Sequence, residues 1–179
     1  MSEFAEFSRD LLESAKFLLG IARDEKAPKK QQAYMRSSLY HALSYVEAQV
    51  NDVADHFEND ETLSKHEKGF LLERSVNFEV GQFEISKSLK MTRLIDRIEF
   101  LLVRHGGTVQ DVQGLSGLKA SLKLRNTLAH PKDAKSLSES EVQLAIDSSV
   151  SVCDAIAKAV FGKSLPYVDR GLEPTSDYS

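Results

Sequence analysis

Residues 34–57 have the sequence YMRSSLYHALSYVEAQVNDVADHF. Apolar side chains recur in this stretch at spacings of three and four, which is the period of one face of an α-helix. Charged side chains lie mostly on the opposite face. The apolar stripe consists of Leu39, Ala42, Leu43, Val46, Val50, Val53, Ala54 and Phe57. The pattern predicts a long amphipathic helix in the core of a helical protein.

The same period predicts helices on both sides of this stretch, at residues 2–22, 61–74, 87–104, 115–128 and 138–161. The last of these opens with Ser138 and Glu141, the spacing of a capping box. All four prolines lie between or after the helical segments. Residues 75–86 alternate enough, through Val76, Phe78 and Phe83, to suggest a strand, and we treat them as a connector.

These segments predict an all-α protein, a compact bundle of about five to six helices. At 179 residues, the chain has the usual size of one domain. We assign residues 1–162 to that single helical domain. Residues 163–179 contain two prolines and no periodicity, so we expect a poorly ordered C-terminal tail.

Charge and composition exclude some classes of protein. The net charge of −4 argues against a protein that coats nucleic acid broadly, because such proteins are strongly basic. The single cysteine, Cys153, cannot form an internal disulfide and lies on an apolar helix stripe, which favours a packed thiol. No apolar run approaches the length of a membrane span, and charges interrupt any signal-peptide core near residue 1. We expect a cytoplasmic protein that does not insert into membranes.

The stretch 122–131, LKLRNTLAHP, contains the residues that carry chemistry. Helical geometry places Arg125 in the middle of an apolar arc. The arc consists of Leu115, Leu118, Leu122 and Ala129. An arginine in that position either faces a partner surface or needs a buried carboxylate, because an unpaired buried charge is costly. His130 precedes Pro131, so the helix should end near Ala129 and let the imidazole turn toward Arg125.

In this stretch and in the early core helix, the sequence resembles a known family. Arg125-Asn126-Thr127-Leu128-Ala129-His130, an Arg-x4-His string at a helix end of an all-α chain, resembles the motif of HEPN domains. The stretch 38–47, SLYHALSYVE, is similar to the early core helix of RiboL-PSP-type HEPN proteins, which ends in a comparable glutamate, here Glu47. The predicted helix that contains residues 99–102 is also similar to a helix of this family. The resemblance covers roughly residues 30–162.

The resemblance implies a metal-independent endoribonuclease that acts as a homodimer, with a toxin or phage-defence role. Arg125 and His130 would be the catalytic residues, meeting those of the second subunit at the interface, and Asn126 and Glu47 would support them. RNA would be the substrate, no cofactor or metal would be needed, and a nucleotidyltransferase-like antitoxin is the partner that such proteins often have. The alternative is a catalytically inactive HEPN-like module that binds RNA or protein or forms dimers.

The residue types suit RNA cleavage. The 2′-hydroxyl of RNA attacks the adjacent phosphorus once a base removes its proton, and histidine has an unperturbed pKa of about 6.5, which suits it to that task or to protonating the leaving oxygen. A guanidinium binds phosphate oxygens as a planar fork. The structural alternative is an ion pair of Arg125, together with a helix-end histidine that the helix dipole favours. Glu47 would then be a solvated helix residue.

Other signals are weaker. The usual helical spacings of metal ligands are absent from the sequence, and we interpret the remaining histidines as ordinary surface or core residues. Residues 85–135 contain ten Lys or Arg against four Asp or Glu, a local charge of +6 within an acidic chain. This distribution predicts a small basic cleft around the proposed site, where charge opposite to phosphate would be needed.

Overall fold

The computed structural model describes residues 3–175, with residues 3–5 described only as backbone. This part of the chain contains six α-helices and one two-stranded sheet. The elements are α1 (Glu3–Asp24), α2 (Pro28–His56), α3 (Lys65–Leu71), β1 (Arg74–Glu79), β2 (Gln82–Leu89), α4 (Leu94–Arg104), a 3₁₀ turn (Val109–Asp111), α5 (Leu115–Ala129) and α6 (Glu139–Phe161). The predicted helical bundle is confirmed, whereas the prediction of a purely all-α chain is wrong.

Strands β1 and β2 form an antiparallel hairpin in the predicted connector, with Phe78 opposite Phe83 and Glu79 opposite Gln82. Val80 and Gly81 both have positive φ, +48° and +86°, so the strands join through a two-residue turn of the primed type that matches their twist. The alternation of residues 76–83 was therefore a true strand signal. The predicted helix start at residue 87 is wrong, because β2 continues to Leu89 and α4 begins at Leu94.

The core lies between α2 and α6. Helix α1 packs along α2, and α6 packs against α1, α2, α4 and α5. Every residue of the predicted α2 stripe is buried, which confirms that helix as the centre of the bundle. Cys153 is also buried, and the lack of solvent raises the pKa of its thiol to about 12, as expected for a packed and unreactive cysteine.

Two capping boxes fix the starts of α3 and α6. The predicted box at Ser138 is confirmed, with the Ser138 N–H donating to Glu141 Oε2 at 2.8 Å. Ser64 and Glu67 form the same arrangement at the start of α3, which shortens the predicted helix 61–74 to seven residues. Helix α5 approaches α6 closely at Gly117, where a Cβ atom would lie 2.2 Å from Ser148 Oγ. Because this face of α5 packs against α6, another face of α5 is free to border a cleft with α2 and α4.

The predicted tail begins at residue 163, and the structure places residues 163–175 against the helices. Leu165, Tyr167 and Leu172 pack on the core. The Leu165 N–H donates to Asp154 Oδ1 at 2.8 Å, and the hydroxyls of Tyr167 and Tyr45 lie 3.1 Å apart. Apolar side chains spaced irregularly along a segment of turns make these contacts, which is why helical periodicity does not reveal them. Residues 176–179 lie outside the described residues.

Candidate active site

The two proposed catalytic residues lie in different places, Arg125 within α5 and His130 just beyond its end. The helix ends at Ala129, as the following proline predicts, and His130 leaves the helical conformation with φ −126° and ψ 64°. Its N–H still donates to Asn126 O at 3.0 Å. The His130 side chain is exposed just beyond the helix end.

Arg125 points toward α2 and meets Glu47. The distance from Arg125 Nη1 to Glu47 Oε1 is 2.6 Å, with 28% of the arginine and 44% of the glutamate side chain exposed. The carboxylate is thus half-exposed and not buried. The predicted apolar arc is also only partly correct, because Leu115 and Leu118 are buried but Ala129 is exposed. Arg125 lies on the border between the core face of α5 and solvent.

A cleft of about 730 Å³ opens at this border, between α2, α4 and α5. Its lining includes Glu47, Arg125 and Asn126, together with Glu73 and the segment 91–93 that follows β2. His130 is not among the lining residues that the structure describes. The structure therefore brings together three of the four proposed site residues, and within residues 3–175 no hydrogen bond or ion pair joins His130 to Arg125.

Charge in the cleft is balanced. Each of its four cationic side chains forms an ion pair with a carboxylate that also lines the cleft. The pairs are Arg125–Glu47 at 2.6 Å, Arg97–Glu73 at 3.2 Å, Lys119–Glu99 at 2.7 Å and Arg93–Asp96 at 2.6 Å. The prediction of a basic cleft is wrong, because the carboxylates of Glu47 and Glu73, which lie outside residues 85–135 in the sequence, help to balance its cations.

Arg97 forms the floor of the cleft and is only 4% exposed. Its Nη2 donates to Asn51 Oδ1 at 2.8 Å, while its Nε has no partner among the described residues. Burial lowers the pKa of Arg97, and the nearby Glu73 carboxylate opposes that shift. Asn51 follows Glu47 by one helical turn, so adjacent turns of α2 hold the guanidinium groups of Arg97 and Arg125.

Sequence reasoning missed Arg97, Asn51 and Glu73. The sequence did contain a signal for Arg97. This charged residue borders the apolar stripe of α4, as Arg125 falls within the predicted apolar arc of α5. Glu73 gave none, since it lies between α3 and β1 with a positive φ of +54°. It accepts the Thr92 N–H at 2.9 Å and thereby ties the base of the hairpin to the cleft.

Four lysines that are close in sequence to the cleft residues have no carboxylate partner among the described residues. In the described part of the chain, no ion pair engages Lys87 or Lys90 near the end of β2, or Lys123 and Lys132 around the end of α5. All four side chains are exposed. These four lysines are therefore available to a polyanion, whereas the cations inside the cleft are already paired.

The described residues contain no group of three or more His, Cys, Asp or Glu side chains arranged to hold a metal ion. None of the helices in residues 3–175 combines the length and the apolar run that crossing a membrane requires. Comparisons with protein-family models, with curated proteins and with solved structures find no match for this chain. The site is therefore interpreted from its geometry and from the sequence motif.

Proposed function

We propose that the protein is a HEPN-like endoribonuclease that cleaves RNA without a metal ion, by attack of a 2′-hydroxyl on the adjacent phosphorus. The observation that carries this proposal is Arg125, whose guanidinium is held by Glu47 at 2.6 Å on the wall of an open cleft, five residues before an exposed histidine. A guanidinium fixed in this way can bind a phosphodiester and stabilise the charge that develops on its oxygens.

Glu47 acts as a positioning residue in this proposal. Among the described residues it engages only Nη1 of Arg125, which leaves Nε and Nη2 for phosphate oxygens. A planar fork oriented before the substrate arrives loses less freedom on binding. Asn126 lines the same cleft one residue later and supplies an amide for a further phosphate contact.

His130 supplies proton transfer. As a base it takes the proton of the 2′-hydroxyl, whose oxygen then bonds to phosphorus while the bond from phosphorus to the 5′-oxygen breaks. The leaving 5′-oxygen takes a proton from a second imidazole, which a dimer provides. The products are a 2′,3′-cyclic phosphate and a free 5′-hydroxyl.

A second copy of the chain completes the site in this proposal. His130 lies outside the cleft that contains Arg125, and the end of α5 presents an exposed face that includes Asn126, Thr127, Ala129 and His130. Two such faces related by a two-fold axis would place each histidine near the arginine of the other subunit. Light scattering should give a dimer, and a stable monomer that cleaves RNA would contradict this arrangement.

The experiment is cleavage of a single-stranded RNA oligonucleotide in EDTA, with product identification by mass spectrometry. We expect a 2′,3′-cyclic phosphate, no cleavage at a position carrying a 2′-deoxyribose, and loss of activity in Arg125→Ala. Hydrolysis of the 2′-deoxy position would contradict the proposed mechanism, because that sugar lacks the attacking hydroxyl.

The balanced charge of the cleft favours one alternative, a HEPN-like module that binds RNA or protein without cleaving. That function predicts an intact RNA after prolonged incubation, together with weaker binding or a changed oligomeric state in Arg125→Ala. The cleavage assay separates the two proposals directly.

A further inference from the structure

The hairpin of β1 and β2 carries aromatic side chains into solvent. Phe78 is 66% exposed and Phe83 is about half-exposed, and they face each other across the strands with ring centroids 5.3 Å apart. Val80, at the turn between the strands, is fully exposed and has a left-handed backbone conformation that β-branched residues rarely adopt. An exposed apolar end of this kind marks a surface that contacts something else.

Helix α3 packs against the hairpin from Val76 to Phe83. Val76 packs against Gly69, where an added Cβ atom would lie 2.4 Å from the valine side chain. The His66 ring of α3 lies 4.6 Å from the Phe83 ring. Phe78, which is paired with Phe83 across the hairpin, remains 66% exposed. The aromatic pair is therefore packed on one side and open on the other.

Unpaired positive charge connects this aromatic pair to the cleft. Lys87 and Lys90 are exposed and follow Phe83 along the chain, and the next residues, 91–93, line the cleft. Neither lysine forms an ion pair within the described residues, in contrast to the four cations inside the cleft. Aromatic rings on which bases stack, followed by cations that meet phosphates, are the two parts of a surface for single-stranded nucleic acid.

The dimensions suit an extended strand. Residues of a β-strand advance about 3.3 Å each, so Phe83 and Leu89 are about 20 Å apart, a distance that a few nucleotides span. Duplex RNA keeps its bases stacked inside the helix and offers no open base face to these rings. The surface therefore fits a single strand.

We propose that the hairpin is an RNA-binding arm, in which Phe78 and Phe83 stack with bases of a single-stranded RNA while Lys87 and Lys90 contact its phosphates. This inference rests on the proposed function, because the strand leads to the cleft of Arg125. The hairpin would then select single-stranded substrates and set how far from the bound bases cleavage occurs.

The first experiment measures binding of a fluorescent 12-nucleotide oligouridine with 2′-O-methyl groups, which cannot be cleaved by 2′-hydroxyl attack. Phe78→Ala should raise Kd about fivefold or more at 100 mM salt. Phe161→Ala is the matched control, because that ring is 45% exposed at the end of α6, and it should leave Kd within twofold. Circular dichroism melts establish that both variants are folded.

The second experiment measures the salt dependence of the same binding. Removing two phosphate contacts in Lys87→Ala/Lys90→Ala should reduce the slope of log K against log salt concentration by about 1.4. Lys29→Ala/Lys30→Ala is the matched control, because those lysines are exposed at the start of α2 and the loss of net charge is identical. The control should keep the wild-type slope.

Wild-type affinity in Phe78→Ala, equal affinity of the wild-type protein for duplex RNA, or no binding by the wild-type protein would each overturn the proposal. Conversion of a dimer to a monomer by Phe78→Ala, with RNA affinity unchanged, would assign the hairpin to a protein interface and overturn it as well. Different results would contradict the RNA-binding arm and the proposed nuclease function. Tight binding through the arm without cleavage of natural RNA contradicts only the nuclease, and cleavage with unchanged affinity in both variants contradicts only the arm.

Discussion

Two of the ion pairs in the described residues, Glu47–Arg125 and Glu13–Lys16, differ in how far solvent reaches them. Glu47 and Arg125 form the wall of an open cleft and are both substantially exposed. Glu13 and Lys16, one turn apart on α1, are each 1% exposed, with Lys16 Nζ 3.5 Å from Glu13 Oε1. The C-terminal segment contacts this second pair, where the N–H and hydroxyl of Thr175 donate to Glu13 Oε2.

Solvent access decides which of these charged side chains can take part in function. The sequence alone does not show that the charge at position 16 is sealed and that the charge at position 125 is open to solvent. Only the pair beside the cleft can meet a phosphodiester, whereas the sealed pair can only hold the helices and the tail together. Substitutions that remove one member of each pair should separate these two roles.

The largest effect is expected at the sealed pair. Lys16→Ala should lower the free energy of unfolding by about 3 to 5 kcal/mol, because it removes the Lys16 cation from beside a buried carboxylate. Urea denaturation followed by circular dichroism measures the change. The double variant Glu13→Gln/Lys16→Met is the control and should recover most of the loss, since no buried charge remains. A loss below about 1 kcal/mol in the single variant would mean that the pair is not sealed.

A smaller effect is expected where the tail meets this pair. Thr175→Ala should lower the free energy of unfolding by about 1 to 2 kcal/mol, because it removes a hydrogen bond of 3.0 Å to a buried carboxylate. Thr175→Ser keeps the hydroxyl and should remain close to the wild type in the same denaturation assay. Equal stability of all three proteins would show that the tail does not contribute to the seal.

The smallest effect on stability is expected at the open pair. Glu47→Gln should change the free energy of unfolding by less than about 1 kcal/mol, because solvent screens a half-exposed pair. It should nevertheless slow RNA cleavage by about tenfold or more, since Arg125 loses its orientation. Glu99→Gln is the matched control in the same cleft, where Glu99 pairs with Lys119 and not with Arg125. Equal cleavage rates for the two variants would remove the positioning role of Glu47.

The sequence predicts the bundle well and the site in part, for physical reasons. The stripe of α2 and the proline after His130 act locally, so the core helix and the end of α5 are as predicted. The contact of Arg125 with Glu47 joins residues 78 positions apart, and it was anticipated only through the family resemblance and the unusual place of a charge on an apolar arc. Helical periodicity alone does not predict that Glu47 is the partner of Arg125.

The rest depends on contacts that no local pattern encodes. Lys16 looks like one more surface charge of α1, because the segment that covers its partner Glu13 lies 162 residues away in sequence. Arg97 and Glu73 lie on opposite sides of the hairpin in the sequence, and Glu73 belongs to no regular element. The hairpin itself follows from the alternation of residues 76–83, a signal that the flanking helical patterns obscured.

The most direct test of the central claim, that the open site performs catalysis, is the rate of RNA cleavage in EDTA by His130→Ala. The His130 side chain is exposed and has no hydrogen bond or ion pair within the described residues, so the variant should keep the wild-type stability to within about 0.5 kcal/mol. Its cleavage rate should fall about 100-fold or more, because proton transfer to and from the reacting oxygens is lost. Cleavage at the wild-type rate by the folded variant would contradict the account.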